Sequence, residues 1–302
     1  MRSSSSLTED SLVGRRIGGG HNLHIRYANI AGRVHSLSEM LSYYGVIVKR
    51  LGRLGDVVMV EPIVRYLRKL TRVGFETSSE YRGLVCDPLE WHYNHQCYML
   101  DLEMYAEQHP LAGQLHRTDI FASSIGVKLS YAESVPSIEV SEESEIWVGG
   151  LLGNSLEDGN YIVYAPSSLS PSRTWEDGDK LIPLLESEYP TVVVSVDGWR
   201  VNGVPISPRC INDLYSIIRH SKLVVSPDSG AMHLAGAAKI SFVALYTQKE
   251  EVSSNPQLRC RYYGDYTVVE SDNLNLDYVF DVVSRAFQGE TLGRFIEWKK
   301  ED

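Results

Sequence analysis

The stretch LVVSPDSGAMHLAGAAKISFVALY, residues 223–246, limits the fold more than any other part of the chain. Leu223, Val224 and Val225 form the short apolar run of a strand buried on both faces, and Pro227 is expected to stop it. Asp228 and Ser229 are helix N-cap residue types, and Gly230 lets backbone approach closely. Ala231 to Ala238 is small and helix-permissive, and Phe242 to Tyr246 is the next β-rich run. A strand feeding a helix through Asp-Ser-Gly leaves several main-chain N–H groups unpaired and pointing one way. With the helix dipole behind them, those groups suit an anion such as a phosphate. A plain helix cap accounts for the same residues, and both readings stand at this point.

Similar alternation runs through the chain. Val46 to Val48 reads as a buried strand, Gly52 and Gly55 bracket a loop, and Val57 to Leu70 has helical periodicity, with Pro62 expected to kink it or reset its start. Further strands are expected at Val73 to Glu76, Tyr98 to Leu102, Tyr161 to Tyr164, Thr191 to Val196 and Tyr266 to Glu270. Helices are expected from about Glu176, from Ile211 to His220 with Asn212-Asp213 as its cap, and from Leu276 to Phe295. This order predicts an α/β protein with parallel sheets covered on both faces, arranged as two Rossmann-like domains facing across a cleft. The Ser- and Glu-rich stretch from Ser130 to Glu157 holds the boundary. The expected division is 1–44 as an N-terminal extension, 45–140 as a shortened first domain and 141–302 as the second. Within the extension, Leu23 to Ile30 can add an edge strand, and Gly18-Gly19-Gly20 reads as a hinge or turn.

Composition narrows the function. The formal net charge of −10 disfavours a nucleic-acid coat or a binder of anionic membranes. No apolar run approaches the roughly 20 residues of a membrane span, and the N-terminus lacks an apolar signal core, so a cytoplasmic location is expected. The four cysteines are sparse and fit reduced thiols. Cys86, His92, His95 and Cys97 invite a metal reading, but C-x5-H-x2-H-x-C matches none of the usual zinc patterns. Ordinary packing and surface histidines are the expectation there.

The remaining polar residues suggest chemistry. Asp56 falls at the C-terminal end of a parallel strand, at a helix mouth, where ligands bind in open α/β sheets. As an N-cap it would contribute about 1 kcal/mol, and the two roles are compatible. Asp101, Glu103, His109, His116 and Asp119 could line the same cleft. The second domain offers the amides of Ser229, Gly230 and Ala231 and the polar loop from Ser167 to Trp175, which includes Ser168, with Arg173 able to pair with a phosphate. An anion cradle facing a lone carboxylate predicts group transfer from a phosphorylated donor to an acceptor hydroxyl.

Three blocks carry a resemblance. KRLGRLGDVVMVEP, APSSLSPSRTW and VVSPDSGAMHLAGAAKISFVALY, in that order, resemble the motifs of the heptosyltransferase family, glycosyltransferase family 9, whose members have the two-Rossmann GT-B fold. The resemblance implies an inverting, metal-independent enzyme without a cofactor. Such an enzyme moves heptose or a related sugar from a nucleotide-diphosphate donor to a hydroxyl, for instance of a surface glycan. It implies Asp56 as catalytic base and Arg173 in place of a phosphate-contacting lysine. It places Asp228 at the donor sugar and Ser229, Gly230, Ala231 and Met232 at the diphosphate. His233 matches the motif histidine, with a structural tie between helix and strand as its other reading. Arg50 and Arg53, in the basic stretch from Lys49, are candidate acceptor contacts. With the arginines of the extension they also allow a polyanionic acceptor such as a modified nucleic-acid base. A non-catalytic nucleotide-sugar-binding protein is the alternative from another class.

Overall fold

Apolar runs set the strands of this computed structural model, which describes residues 12–17, 21–28, 35–85, 96–153, 159–195, 198–247, 255–270, 274–290, 292–293 and 295–296. The first half contains β1 (Leu12–Ile17), β2 (His21–Ala28), α1 (Leu37–Met40), β3 (Gly45–Lys49), α2 (Leu54–Arg68), β4 (Val73–Glu76) and β5 (Cys97–Asp101). Four helices follow: α3 (Tyr105–Gln108), α4 (Arg117–Ser123), α5 (Tyr131–Ser134) and α6 (Glu142–Leu152). Its five-stranded sheet has the order β1-β2-β5-β3-β4. All neighbours are parallel except β1, which pairs antiparallel with β2.

The second half contains β6 (Ile162–Tyr164), α7 (Gly178–Glu188), β7 (Thr191–Ser195), β8 (Gly198–Val201), β9 (Val204–Ile206), α8 (Ile211–His220) and β10 (Leu223–Pro227). It continues with α9 (Gly230–Ala238), β11 (Phe242–Tyr246), α10 (Pro256–Arg259), β12 (Tyr266–Glu270), α11 (Leu276–Phe287) and β13 (Phe295–Ile296). Its sheet order is β13-β12-β11-β10-β6-β7-β8-β9. Central strands β6, β10 and β11 are buried at every residue, which is why they read as continuous apolar runs.

Several expectations change. Residues 12–28 do more than add one edge strand: β2 lies beside β5, and β1 covers it. Residues 18–20 and Cys86, His92 and His95 lie outside the described residues; Cys97 is buried in β5. Helix α2 starts at Leu54, so Asp56 is in its first turn and the N-cap is Arg53. Pro62 lies inside that helix and does not reset its start. Pro227 ends β10 from within, and Cys210, not Asn212-Asp213, caps α8. Helix α11 stops at Phe287, just ahead of Gly289 with its φ of +84°, a left-handed residue suited to ending a helix. The purely parallel reading also fails at one edge, where β8 and β9 form an antiparallel hairpin. Asn202 and Gly203 both have positive φ, 45° and 79°, as a type I′ turn needs.

The halves meet through α2 and α9. A Cβ on Gly55 would collide with the His233 ring, and one on Gly230 would fall 2.5 Å from Leu54 Cδ2. One continuous apolar cluster therefore runs from Val57, Val60 and Ile63 to Met232, Leu234 and Tyr263. No helix among the described residues is long and apolar enough to cross a membrane.

A tighter contact still lies within the second half at Gly236, where a Cβ would enter the ring of buried Tyr263. Gly236→Val is expected to cost about 1–3 kcal/mol, the usual penalty of an overpacked core. Urea denaturation checks it; an unchanged midpoint would mean that Tyr263 can leave its place on α9.

Candidate active site

A cleft of about 750 Å³ opens between the halves, with walls built from the loops after β3 and β5 on one side and after β6 and β10 on the other. On the second-half wall, β10 passes through Asp228 and Ser229 into α9. Ser229 holds the N-cap position without bonding the helix; its Oγ shares a 2.6 Å hydrogen bond with Ser226 Oγ. The first amides of α9 therefore receive nothing from the cap side chain, and the positive end of the helix dipole faces the cleft. Gly230 has no side chain because Leu54 of the opposite wall fills that space.

The loop after β6 is tied to this turn. Ser168 Oγ donates to the Asp228 carbonyl at 3.3 Å, and Arg173 Nη1 lies 3.3 Å from Asp228 Oδ2. Asp228 is buried, with His233 Nε2 3.8 Å from its other oxygen. His233 Nδ1 and the Tyr263 hydroxyl are hydrogen-bonded at 2.6 Å. The histidine thus joins α9 to Tyr263 and packs on Gly55, the structural tie expected as its other reading, while also lining the cleft.

On the first-half wall Asp56 sits 14% exposed in the opening turn of α2. Arg50 Nη2 lies 3.1 Å from its Oδ2, and Arg117 Nη1 contacts its Oδ1 directly. Burial alone would raise the pKa of this carboxyl; Arg117, Arg50 and Arg259 outweigh that and hold it below the usual carboxylate range. Asp56 is therefore ionised at neutral pH, free to accept a proton but not strongly basic.

The structure gathers Asp56, Arg53, Ser168, Arg173, Asp228, Ser229, Gly230, Ala231 and His233 around the cleft. Met232 is not among them. It is 0% exposed, and its sulfur lies 3.7 Å from the Tyr246 hydroxyl, because the fourth residue of the turn points down into the core. Arg50 lines the cleft but is not an open acceptor contact: it is 3% exposed and spent on Asp56 and Glu107. Lys49 is likewise paired with Asp101 at 3.3 Å, so the stretch from Lys49 to Arg53 presents only Arg53 as an exposed cation. Within that stretch Arg53 is thus the cation open to an acceptor. Of the other candidates Glu103 reaches the cleft; Asp119 accepts from the Tyr262 hydroxyl, and His116 caps α4.

Three charged residues of the cleft lie outside the candidates that the sequence offers: Glu107, Arg117 and Arg259. Arg259 is 6% exposed at the end of α10, and its charge is felt by both Asp228 and Asp56. Arg117 opens α4 right after its His116 cap, which was the one local signal available. Among the described residues no group of three or more His, Cys, Asp and Glu side chains is placed to hold a metal.

Comparison with known proteins bears on the fold. A family model described as glycosyltransferase family 9 (heptosyltransferase) matches residues 199–262, which include the β10–α9 turn. No curated protein matches the chain. The structure of the glycosyl transferase family 9 from Veillonella parvula DSM 2008 is 15% identical, with 84% of this chain and 91% of that one covered and a TM-score of 0.53. The E. coli heptosyltransferase WaaC with ADP is 14% identical, with coverages of 82% and 99% and a TM-score of 0.51. The bacterial iron-containing dodecameric glycosyltransferase TibC from enterotoxigenic E. coli H10407 is 13% identical, with coverages of 74% and 63% and a TM-score of 0.50. The chain resembles the heptosyltransferase family, and its fold is of the same two-Rossmann GT-B type.

Two buried histidines give the site a pH dependence. Burial lowers His116 to about 3, with His233 and Arg259 adding to the effect. Burial also lowers His233 to about 4, partly offset by Asp228. The unfolded chain binds both protons near pH 6.5, whereas the folded chain does not until far lower. Stability is thus full above about pH 6.5 and falls below it, by about 1.4 kcal/mol per pH unit for each histidine, until the folded values are reached. Tm is expected to drop between pH 7 and pH 5, less steeply in His116→Asn. A flat Tm over that range would show that the histidines are accessible.

Proposed function

We propose that the protein is an inverting glycosyltransferase that moves a sugar, heptose or a relative, from a nucleotide-diphosphate donor to an acceptor hydroxyl such as that of a surface glycan. The observation that carries this reading is the placement of Asp56 and the uncapped start of α9 on facing walls of one cleft. Residues 141–302 are assigned to the donor and 45–140 to the acceptor. In this reading the diphosphate rests on the amides of Ser229, Gly230 and Ala231, with Arg173 and Arg259 supplying positive charge. The apolar lining residues Val194, Trp199, Ile211 and Leu214 suit the nucleobase. The ADP bound by the WaaC neighbour makes adenine the first base to try.

The reaction is a single displacement. Asp56 takes the acceptor proton as the oxygen attacks the anomeric carbon. The bond from that carbon to the diphosphate breaks, and its electron pair leaves on the phosphate oxygen. Developing charge there is met by donors already in place. One base is enough, and attack opposite the leaving group inverts the carbon. The cationic side chains stand where a metal would otherwise be needed, so the reading is metal-independent.

Thermal shift against nucleoside diphosphates and their sugar conjugates identifies the donor, since a ligand at 100 times its Kd adds about 2.7 kcal/mol. Asp56→Asn is expected to lower transfer about 10²–10⁴-fold, the usual worth of a general base. Donor binding should be no weaker, because a negative charge leaves the cleft. Full turnover in that variant removes the base. Arg173→Ala is expected to weaken donor binding by about 1.5–3 kcal/mol.

Transfer is also expected to persist in EDTA. Loss that a divalent or iron salt restores would overturn metal independence. Donor binding with no labelled acceptor in any lysate would turn the reading toward a binding protein.

A further inference from the structure

Arg50 and Arg117 each place one nitrogen on two carboxylates, and Arg50 Nη1 adds a 3.4 Å bond to Glu107 Oε2. Arg50 Nη2 lies 3.1 Å from Asp56 Oδ2 and 2.8 Å from Glu107 Oε1. Arg117 Nη1 contacts Asp56 Oδ1 and lies 2.6 Å from Glu107 Oε1. One oxygen of Glu107 therefore sits on the same two nitrogens as the carboxylate read above as the base.

The loop after β5 holds Glu107 there. Met104 has a φ of 56°, a left-handed value for a residue other than glycine, and it starts the short helix α3 that carries Glu107. Arg50 Nη1 donates to the Leu102 carbonyl at 3.0 Å, and the Glu103 carboxylate accepts the Leu51 amide. These bonds clamp the β5 loop to the β3 loop. Glu107 stays 27% exposed, so it meets the arginines from the solvent side of the cleft.

The charges around Asp56 come from every element that packs on it. Arg50 approaches from the end of β3, Arg117 from α4 and Arg259 from α10. Against them stand Glu107 on α3, Glu103 just before it and Asp228 across the cleft, with His233 neutral and Tyr81 protonated nearby. Glu107 is the carboxylate that shares atoms with the pair. Remove its charge, and both guanidiniums turn wholly to Asp56.

We propose that Glu107 is a positioning residue which divides the charge of Arg50 and Arg117, so that Asp56 keeps enough basicity to take the acceptor proton. This rests on the reading of Asp56 as base. A carboxylate bound by two undivided guanidiniums is ionised but a poor proton acceptor, because the driving force for proton transfer falls with its pKa. Glu107 thus acts through the arginines and touches no reacting atom.

The test is the pH profile of kcat at saturating donor for wild type, Glu107→Gln and Glu107→Asp. Activity needs ionised Asp56, so it rises with pH through an acid limb. In Glu107→Gln kcat is expected to fall several-fold while donor KM stays within twofold. The limb should move to lower pH by about one unit, the size of shift one neighbouring charge gives. Glu107→Asp keeps the charge and should return the limb to its place. Because the wild-type limb lies low, the same comparison is made in Arg117→Gln, which removes one cation and lifts it. A limb that stays or moves up in Glu107→Gln, or a kcat loss that tracks only a lower Tm, overturns the proposal. Normal transfer by Asp56→Asn would instead remove the base itself, so the two failures are told apart.

Discussion

Two helix starts pressed against each other govern this molecule. Gly55 in the first turn of α2 meets the His233 ring in the first turn of α9, and Gly230 meets Leu54 in return. Side chains at either glycine would hold the helices apart. Because both contacts are at N-termini, two positive dipole ends converge on one cavity. That arrangement repels itself, and it stands because carboxylates sit at both tips: Asp56 on α2 and Asp228 just ahead of α9. The glycines set the approach, and the approach sets the charge that the rest of the site must balance.

The arginines extend the same balance. Arg173 holds Asp228, Arg50 and Arg117 hold Asp56, and Arg259 lies within reach of both. Asp56 and Asp228 are therefore each already answered by a cation. An anion arriving at α9 meets a cavity that loses little by sharing those cations, since each guanidinium carries more donors than one carboxylate uses. Negative charge placed there also works against the arginines at Asp56 and lifts its pKa. On the proposed reading, the base becomes more basic when the donor is bound and stays quiet when it is absent.

Much of the scaffold could be read from the chain. Ile211–His220, Phe242–Tyr246 and Tyr266–Glu270 have the expected limits because burial on one or both faces leaves an apolar pattern with clear ends. The β8–β9 hairpin is spelled only by Val201-Asn202-Gly203-Val204, a local signal that the alternation of strand and helix on either side masks. Helix α2 starts three residues ahead of its periodic pattern, because Leu54 and Gly55 look like loop until α9 supplies the surface they pack on. The turn at Ser229 was legible for a firmer reason. A buried strand, a small polar pair and a glycine have few ways to enter a helix, and all of them leave amides at the tip.

The charges were the hard part, and Arg50 shows why. A sequence gives the sign of a side chain but not what it faces. Lys-Arg-Leu-Gly-Arg reads as a basic patch if the strand ends in solvent, and as a set of internal ion pairs if another strand end lies beside it. Here β5 lies beside β3, so Asp101 takes Lys49 while Glu107, from the short helix that follows, takes Arg50. Arg117 reaches Asp56 across 61 positions of chain, and no spacing rule links such a pair. A cation directly after a buried parallel strand should therefore be weighed first against the carboxylates that follow the neighbouring strand. Only the cations left over, Arg53 here, are free to meet an outside partner.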